Sequence, residues 1–231
     1  HRNYDLALPF LDTDAFTYAL EDLRGYGRSR DLAGPHTAAQ AAADVVALAD
    51  RLGWDRFHVV GHSMTGMVVQ RVAIDARQRV ASVVCANPVP ASGLHMPEAD
   101  LAFFRSTITD DTAFAGLLAA ISNRELSPRW TAYKLALCRS SAAPAVRSEY
   151  LDMFNGTDFS GQARGLDVPL LVLLGEFDHE GLLEPAMRAT FGVWYPRAEF
   201  KVCLGAGHYP MQEMPPWYVA AIEGFMRRHP A

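Results

Sequence analysis

The stretch "FHVVGHSMTGMVVQRVA", residues 57–73, decides how the rest of the chain is read. A short apolar run, Phe57 to Gly61, is followed by His62 and Ser63 and then by a helix-like pattern. A strand that turns directly into a helix through a glycine puts Ser63 on a strained turn with its hydroxyl exposed. The helix starting near Met64 would aim unbonded N–H groups and its positive dipole end at the same point. A serine between a strand and a helix is also an ordinary helix cap. A chemical role therefore depends on partners elsewhere in the chain.

Working outward, strand-like runs alternate with helical patterns: "FTYALED" (16–22), "FHVVG" (57–61), "RVASVVCA" (79–86), "VPLLVLLG" (168–175) and "EFKVCLG" (199–205). Continuous apolar runs suit strands covered on both faces, as in a parallel sheet flanked by helices. In "HTAAQAAADVVALADRLGW", Thr37 and Gln40 suggest a capping box. Val45, Leu48, Ala49 and Leu52 mark one face there, and Gly53 supplies the stop. The C-terminal "PPWYVAAIEGFMRRH" opens with prolines suited to a first turn and closes on basic residues. Between about Asn87 and Asp167 the rhythm breaks into three or four helical patterns without a convincing strand. The expected fold is α/β, a mostly parallel, doubly wound sheet, with residues 1–87 and 168–231 as core and 88–167 as an inserted helical cap.

At 231 residues and 50% hydrophobic, the chain is long enough for one such domain with an insertion. A net charge of -5 gives no reason to expect nucleic acid as a partner. No apolar run is long enough to cross a bilayer, and no membrane or signal segment is expected. Three widely spaced cysteines, Cys85, Cys138 and Cys203, make a poor disulfide framework and a poor metal site, so buried thiols in a reducing cytoplasm are expected. Neither a cofactor nor a metal is implied.

A serine hydroxyl becomes nucleophilic when a base takes its proton. Of eight histidines, His208 in "LGAGHYPMQEMPP" follows the last strand run through a flexible Gly205-Ala206-Gly207 turn. That places it at a strand's C-terminal end, where open α/β sheets bind ligands. An orienting carboxylate is offered by Asp178 in "LLVLLGEFDHEG", just past another strand, with Glu176 and Glu180 as nearby rivals. Each residue alone has a bland reading as a cap or a loop polar group. Three at three strand ends, in the order Ser, Asp, His, form a recognisable constellation.

With these residues in place, the chain resembles the α/β-hydrolase fold superfamily, in particular its esterase and lipase-like members. The matching segments are "DLRGYGRS" (22–29), "VVGHSMTG" (59–66), "LLGEFD" (173–178) and "GAGHYPMQEMP" (205–215). The resemblance implies Ser63 as nucleophile, Asp178 as acid, His208 as base and the Met64 N–H as an oxyanion donor. Asp22, Gly25 and Gly27 would be structural turn residues. Two departures stand out. Thr65 replaces the family's glycine two places after the nucleophile and should push helix and strand slightly apart. The family's third strand, with its His-Gly motif and second oxyanion donor, has no counterpart ahead of "HRNYDLALPFLD". That strand would lie between 16–22 and 57–61. The expectation is that His1 is not the natural N-terminus and that about 25 to 35 residues, enough for three ordinary strands, are missing or supplied elsewhere.

The resemblance implies cleavage of a small to medium, largely apolar ester or lactone, a small-molecule substrate, through an acyl-enzyme. A serine at the elbow argues against haloalkane dehalogenase and epoxide hydrolase chemistry. Carbon–carbon bond hydrolysis and ligand reception without turnover are the alternatives. His95, Phe103, Phe104, Trp130 and Tyr133 are candidates for a substrate pocket, or else core between cap helices. The oligomeric state is not legible.

Overall fold

The computed structural model describes residues 1–123 and 126–231. Four parallel strands form its sheet: β1 (Phe57–His62), β2 (Val80–Ala86), β3 (Leu170–Gly175) and β4 (Ala198–Cys203), in that order across the sheet. These are the four later strand runs, with ends displaced by a residue or two. Every residue of β2 and β3 is buried, and that is why their sequences read as unbroken apolar runs and do not alternate. Val83, Cys85, Leu170, Val172 and Leu174 face one core with α1 (Ala38–Arg51) and α2 (Met64–Asp75). Val84, Ala86, Leu171 and Leu173 face a second core with Tyr218, Ile222 and Phe225 of the C-terminal helix, which spans Pro215–Arg227. The period of two along each strand thus feeds two layers, and the sheet is covered on both sides.

Helix α1 begins as expected, with the Thr37 hydroxyl accepting the Gln40 N–H at 3.1 Å. The reciprocal half of the box is replaced, because the Gln40 amide reaches forward to Asp44 at 2.9 Å. Gly53 takes φ +71° just past the helix, a conformation that favours glycine. In the turn before α1, the Asp22 carboxylate accepts the Arg28 N–H, while Gly25 and Gly27 take φ +80° and +47°.

Between β2 and β3 the chain is helical: α3 (Glu98–Ser106), α4 (Asp111–Ile121), α5 (Pro128–Ser141), α6 (Pro144–Gly156) and α7 (Ser160–Ala163). After β3 and β4 follow α8 (Glu184–Trp194), α9 (Pro210–Glu213) and α10, the C-terminal helix already described.

The strand expected at 16–22 is corrected. That segment belongs to no ladder, and it is not paired to β1. A strand exists by virtue of a neighbour, and this segment has none among the described residues. Its alternation nevertheless has a structural meaning. Phe16 and Tyr18 pack on the α10 side of the core, and the Tyr18 hydroxyl donates to Glu223 at 2.6 Å. Phe16, Tyr18 and Leu20, together with Phe57 and Val59 of β1, line a cleft of about 1390 Å³.

Candidate active site

Ser63 sits between β1 and α2 with φ +52° and ψ −120°, a conformation costing a non-glycine residue about 1–3 kcal/mol. The surrounding backbone holds it there. The Ser63 N–H donates to the Ala86 carbonyl at 2.9 Å, and its own carbonyl accepts from Gly66 at 2.8 Å and Val89 at 3.0 Å. Strain kept in place by bonds to β2 and its following loop aims the hydroxyl out of the turn. A Cβ on Gly61 would collide with the Thr65 carbonyl, and one on Gly66 would collide with Pro88. These two glycines are what the close strand–helix approach needs.

Thr65, expected to act through its bulk, acts through its hydroxyl. Its Oγ1 accepts the His62 N–H and donates to the His62 carbonyl, both at 2.8 Å. Thr65→Val keeps the shape and leaves both His62 groups without a partner, so a loss of about 1–3 kcal/mol is expected. Urea unfolding of the two proteins reads this directly; an unchanged midpoint would show the hydroxyl to be dispensable.

The Ser63 hydroxyl lies 2.9 Å from His208 Nε2, and His208 Nδ1 lies 2.7 Å from Asp178 Oδ2. His208 and Asp178 are both buried. The Asp178 carboxylate accepts two further bonds, from the His179 N–H at 2.7 Å and from the Asn87 side-chain amide at 2.6 Å. Its rivals point elsewhere: Glu176 accepts the Gly205 N–H, and Glu180 begins a short 3₁₀ turn. The loop carrying His208 is brought to β3 by glycines. A Cβ on Gly175 would strike the Gly207 carbonyl, and one on Gly207 would strike Ile121 and Ser122 at the end of α4. The His208 N–H donates to the Ile121 carbonyl at 2.7 Å, so the last turn of α4 also fixes this loop. The Met64 N–H stands at the first position of α2, among the N–H groups that a helix start leaves without an intrahelical acceptor.

Sequence reading missed Asn87, His62 and Lys134. Asn87 closes β2 at φ +42°, with its N–H on the Leu173 carbonyl at 2.7 Å and its amide on Asp178. A polar residue directly after a fully buried strand was the available signal. His62 is buried against His208, its Nε2 2.6 Å from the His208 carbonyl. Burial, with His208 and Lys134 close by, pushes its pKa well below that of an ordinary histidine. Lys134 on α5 is 5% exposed and lines the cleft that contains Ser63. Its Nζ donates to Asn3 Oδ1 at 2.8 Å and stands 3.7 Å over the Tyr209 ring.

Burial lowers the Lys134 pKa to about 7, against the smaller opposing influence of Cys138 and Glu213. The unfolded chain therefore holds this proton more firmly than the folded one between pH 7 and the usual lysine value. Stability from this group rises with pH across that window, by at most ~1.4 kcal/mol per pH unit. Lys134→Met should lack that rise and gain stability relative to the parent as pH falls towards 7. Urea unfolding at pH 7 and pH 9 measures it, and equal differences at both pH values would contradict it.

The five aromatic and histidine pocket candidates lie away from this cleft. None of His95, Phe103, Phe104, Trp130 or Tyr133 lines the cleft at Ser63. His95 and Phe103 are on the surface, and Phe104 packs edge-on against Phe154 in the core. Trp130 packs edge-on against Tyr209 and lines a separate cavity of about 420 Å³. Tyr133, half-buried on α5, feels the charges of Asp5 and Arg2. On α5 the cleft is met by Lys134, Leu137, Cys138, Ser140 and Ser141. Phe114 of α4 and Tyr26 join them.

The parallel sheet, covered on both faces, and the strained serine between β1 and α2 define an α/β protein with a tight strand-to-helix turn. Residues 2–214 match the alpha/beta hydrolase fold family, and the chain belongs to it. It is 27% identical over 214 residues to the pimeloyl-[acyl-carrier protein] methyl ester esterase of Nitrosomonas europaea, covering 87% of this chain and 82% of that one. Likeness to the dihydrolipoyllysine-residue acetyltransferase component of the acetoin cleaving system of Cupriavidus necator is 45% over 76 residues. It covers 33% of this chain, which spans only 20% of that relative's length. Among solved structures, a thermophilic esterase from Thermogutta terrifontis superposes with a TM-score of 0.83 at 24% identity, covering 99% of this chain and 86% of that one. Est816, described as an N-acyl homoserine lactone degrading enzyme, gives 0.76 at 29% identity, with 89% and 81% covered.

Proposed function

We propose that the protein is a serine hydrolase that cleaves a small to medium, largely apolar carboxylic ester or lactone through an acyl-enzyme. The observation that carries this reading is the line from Ser63 Oγ to His208 Nε2 at 2.9 Å and from His208 Nδ1 to Asp178 at 2.7 Å, anchored on a serine with positive φ. His208 takes the Ser63 proton as the hydroxyl attacks the acyl carbon, and Asp178 stabilises the imidazolium that forms. The Met64 N–H donates to the developing oxyanion at the positive end of α2. His208 returns the proton to the leaving alcohol and then activates the water that releases the acid. Met64, Phe114 and Leu137, which line the cleft among charged residues such as Arg28 and Lys134, would suit an apolar acyl or alcohol portion. The esterase and lactone-degrading relatives support this class of substrate. A cytoplasmic setting fits the three unpaired thiols, Cys85, Cys138 and Cys203, and no described helix is long and apolar enough to cross a membrane.

A panel of short-chain nitrophenyl esters and acyl lactones tests the reading. Turnover dependent on Ser63 supports it. Tight ligand binding with a large thermal shift and no turnover would make the protein a receptor and contradict it.

A further inference from the structure

The side chains behind His208 form a hydrogen-bond chain whose donors all point one way. Gln212 Nε2 donates to the Asn3 main-chain carbonyl at 2.9 Å and to Asn3 Oδ1 at 3.0 Å. The first of these fixes which end of the Gln212 amide is nitrogen, since a flipped amide would set two oxygens against each other. Lys134 Nζ donates to the same Asn3 Oδ1 from α5 at 2.8 Å. Two donors on one oxygen fix the Asn3 amide in turn, so the group 3.3 Å from His62 Nδ1 is its NH₂. His62 Nδ1 must then accept, and His62 Nε2 must carry the proton. That proton lies on the line to the His208 carbonyl, at 2.6 Å. The opposite tautomer would face a lone pair to the carbonyl oxygen and an N–H to the Asn3 amide, with repulsion at both ends.

We propose that His62 is a positioning residue for the base, and that Lys134 and Gln212, acting through Asn3, fix the tautomer in which it does so. The His208 backbone is then gripped on both sides: its N–H by the Ile121 carbonyl at the end of α4, its carbonyl by His62. Helix α5 adds a second hold on the next residue, because Lys134 lies over the Tyr209 ring and Trp130 meets that ring edge-on. Both helices belong to the segment between β2 and β3, so the seating of that segment sets the position of the imidazole relative to Ser63. This rests on the reading of His208 as the base; the state of His62 itself does not.

Nitrogen-15 imidazole NMR of the whole protein therefore tests the proposal apart from activity. His62 is expected as the neutral Nε2–H tautomer at pH 7. In Asn3→Asp, which keeps the shape but replaces the donor facing Nδ1 with an acceptor, His62 should become an imidazolium at that pH. An Nδ1–H tautomer in the parent, or a His62 that stays neutral in Asn3→Asp, overturns the proposal. Kinetics supply the second readout. His62→Leu should lower kcat roughly ten- to hundredfold with KM for a short ester little changed, as expected for a misplaced base. His62→Gln, whose amide can still donate to the carbonyl, should recover most of that loss. Equal losses in both variants would make the role one of packing only. If the NMR result holds while the parent shows no Ser63-dependent turnover, the hydrolase reading fails and the His62 assignment stands.

Discussion

Ser63→Ala is expected to lower turnover of a short nitrophenyl ester by about 10⁵- to 10⁶-fold and to abolish the burst of released phenol. The size follows from the position of the hydroxyl at the head of a hydrogen-bonded line. Without Oγ, the imidazole of His208 has no proton to accept and no covalent intermediate forms. The variant should also fold. The Ser63 hydroxyl bonds only to His208 among the described residues, while the strained turn is held by main-chain bonds from Ala86, Gly66 and Val89 that alanine retains. Stability within about 1 kcal/mol of the parent is thus the companion result. A folded variant that keeps a tenth of the parent's turnover would remove Ser63 from the chemistry.

The second large effect is expected from Asp178→Asn, a fall of about 10⁴ in kcat with a measurable loss of stability. The carboxylate is surrounded by donors: His208 and Asn87 on Oδ2, and the His179 N–H on Oδ1. An asparagine NH₂ must replace one of these oxygens and then face a donor. At the Oδ2 side it meets the Asn87 amide and forces His208 into the Nε2–H tautomer, which presents a proton and not a lone pair to Ser63. At the Oδ1 side it meets the His179 N–H and leaves a buried clash costing about 1–3 kcal/mol. Either outcome also removes the negative charge that stabilises the imidazolium. Steady-state kinetics with urea unfolding separates the two contributions. A variant within tenfold of the parent would transfer the orienting role to another acid, and Glu176 and Glu180 are the nearest by sequence.

Much of this was legible in the sequence because buried parallel strands announce themselves as apolar runs, and the candidate site residues follow them within a few positions. The runs at 57–61, 79–86, 168–175 and 199–205 correspond to β1 to β4. Ser63, Asp178 and His208 were nameable because strand ends converge at one edge of such a sheet. The run at 16–22 misled for a physical reason: its alternation reflects packing of Phe16 and Tyr18 beside α10, whereas strand identity depends on a neighbour that local pattern does not report. The helical block hid its inward face. Aromatic residues were the obvious pocket candidates, yet α5 brings Lys134 and Cys138 to the cleft, a lysine and a cysteine that composition alone assigns to the surface or the core. Thr65 was read by its volume and works by its hydroxyl. Partners such as Asn87 and Asn3, distant in sequence and ordinary in type, become visible only when the fold brings them to Asp178 and His62.

The central claim, that Ser63 is the nucleophile of a serine hydrolase, is tested most directly by a fluorophosphonate probe read by peptide mass spectrometry, since the probe needs an activated serine but no knowledge of the substrate. A single adduct on the peptide containing Ser63, absent in Ser63→Ala and strongly slowed in Asp178→Asn, is the predicted result. An adduct on another residue, or a folded protein that takes up no probe at Ser63, would contradict it.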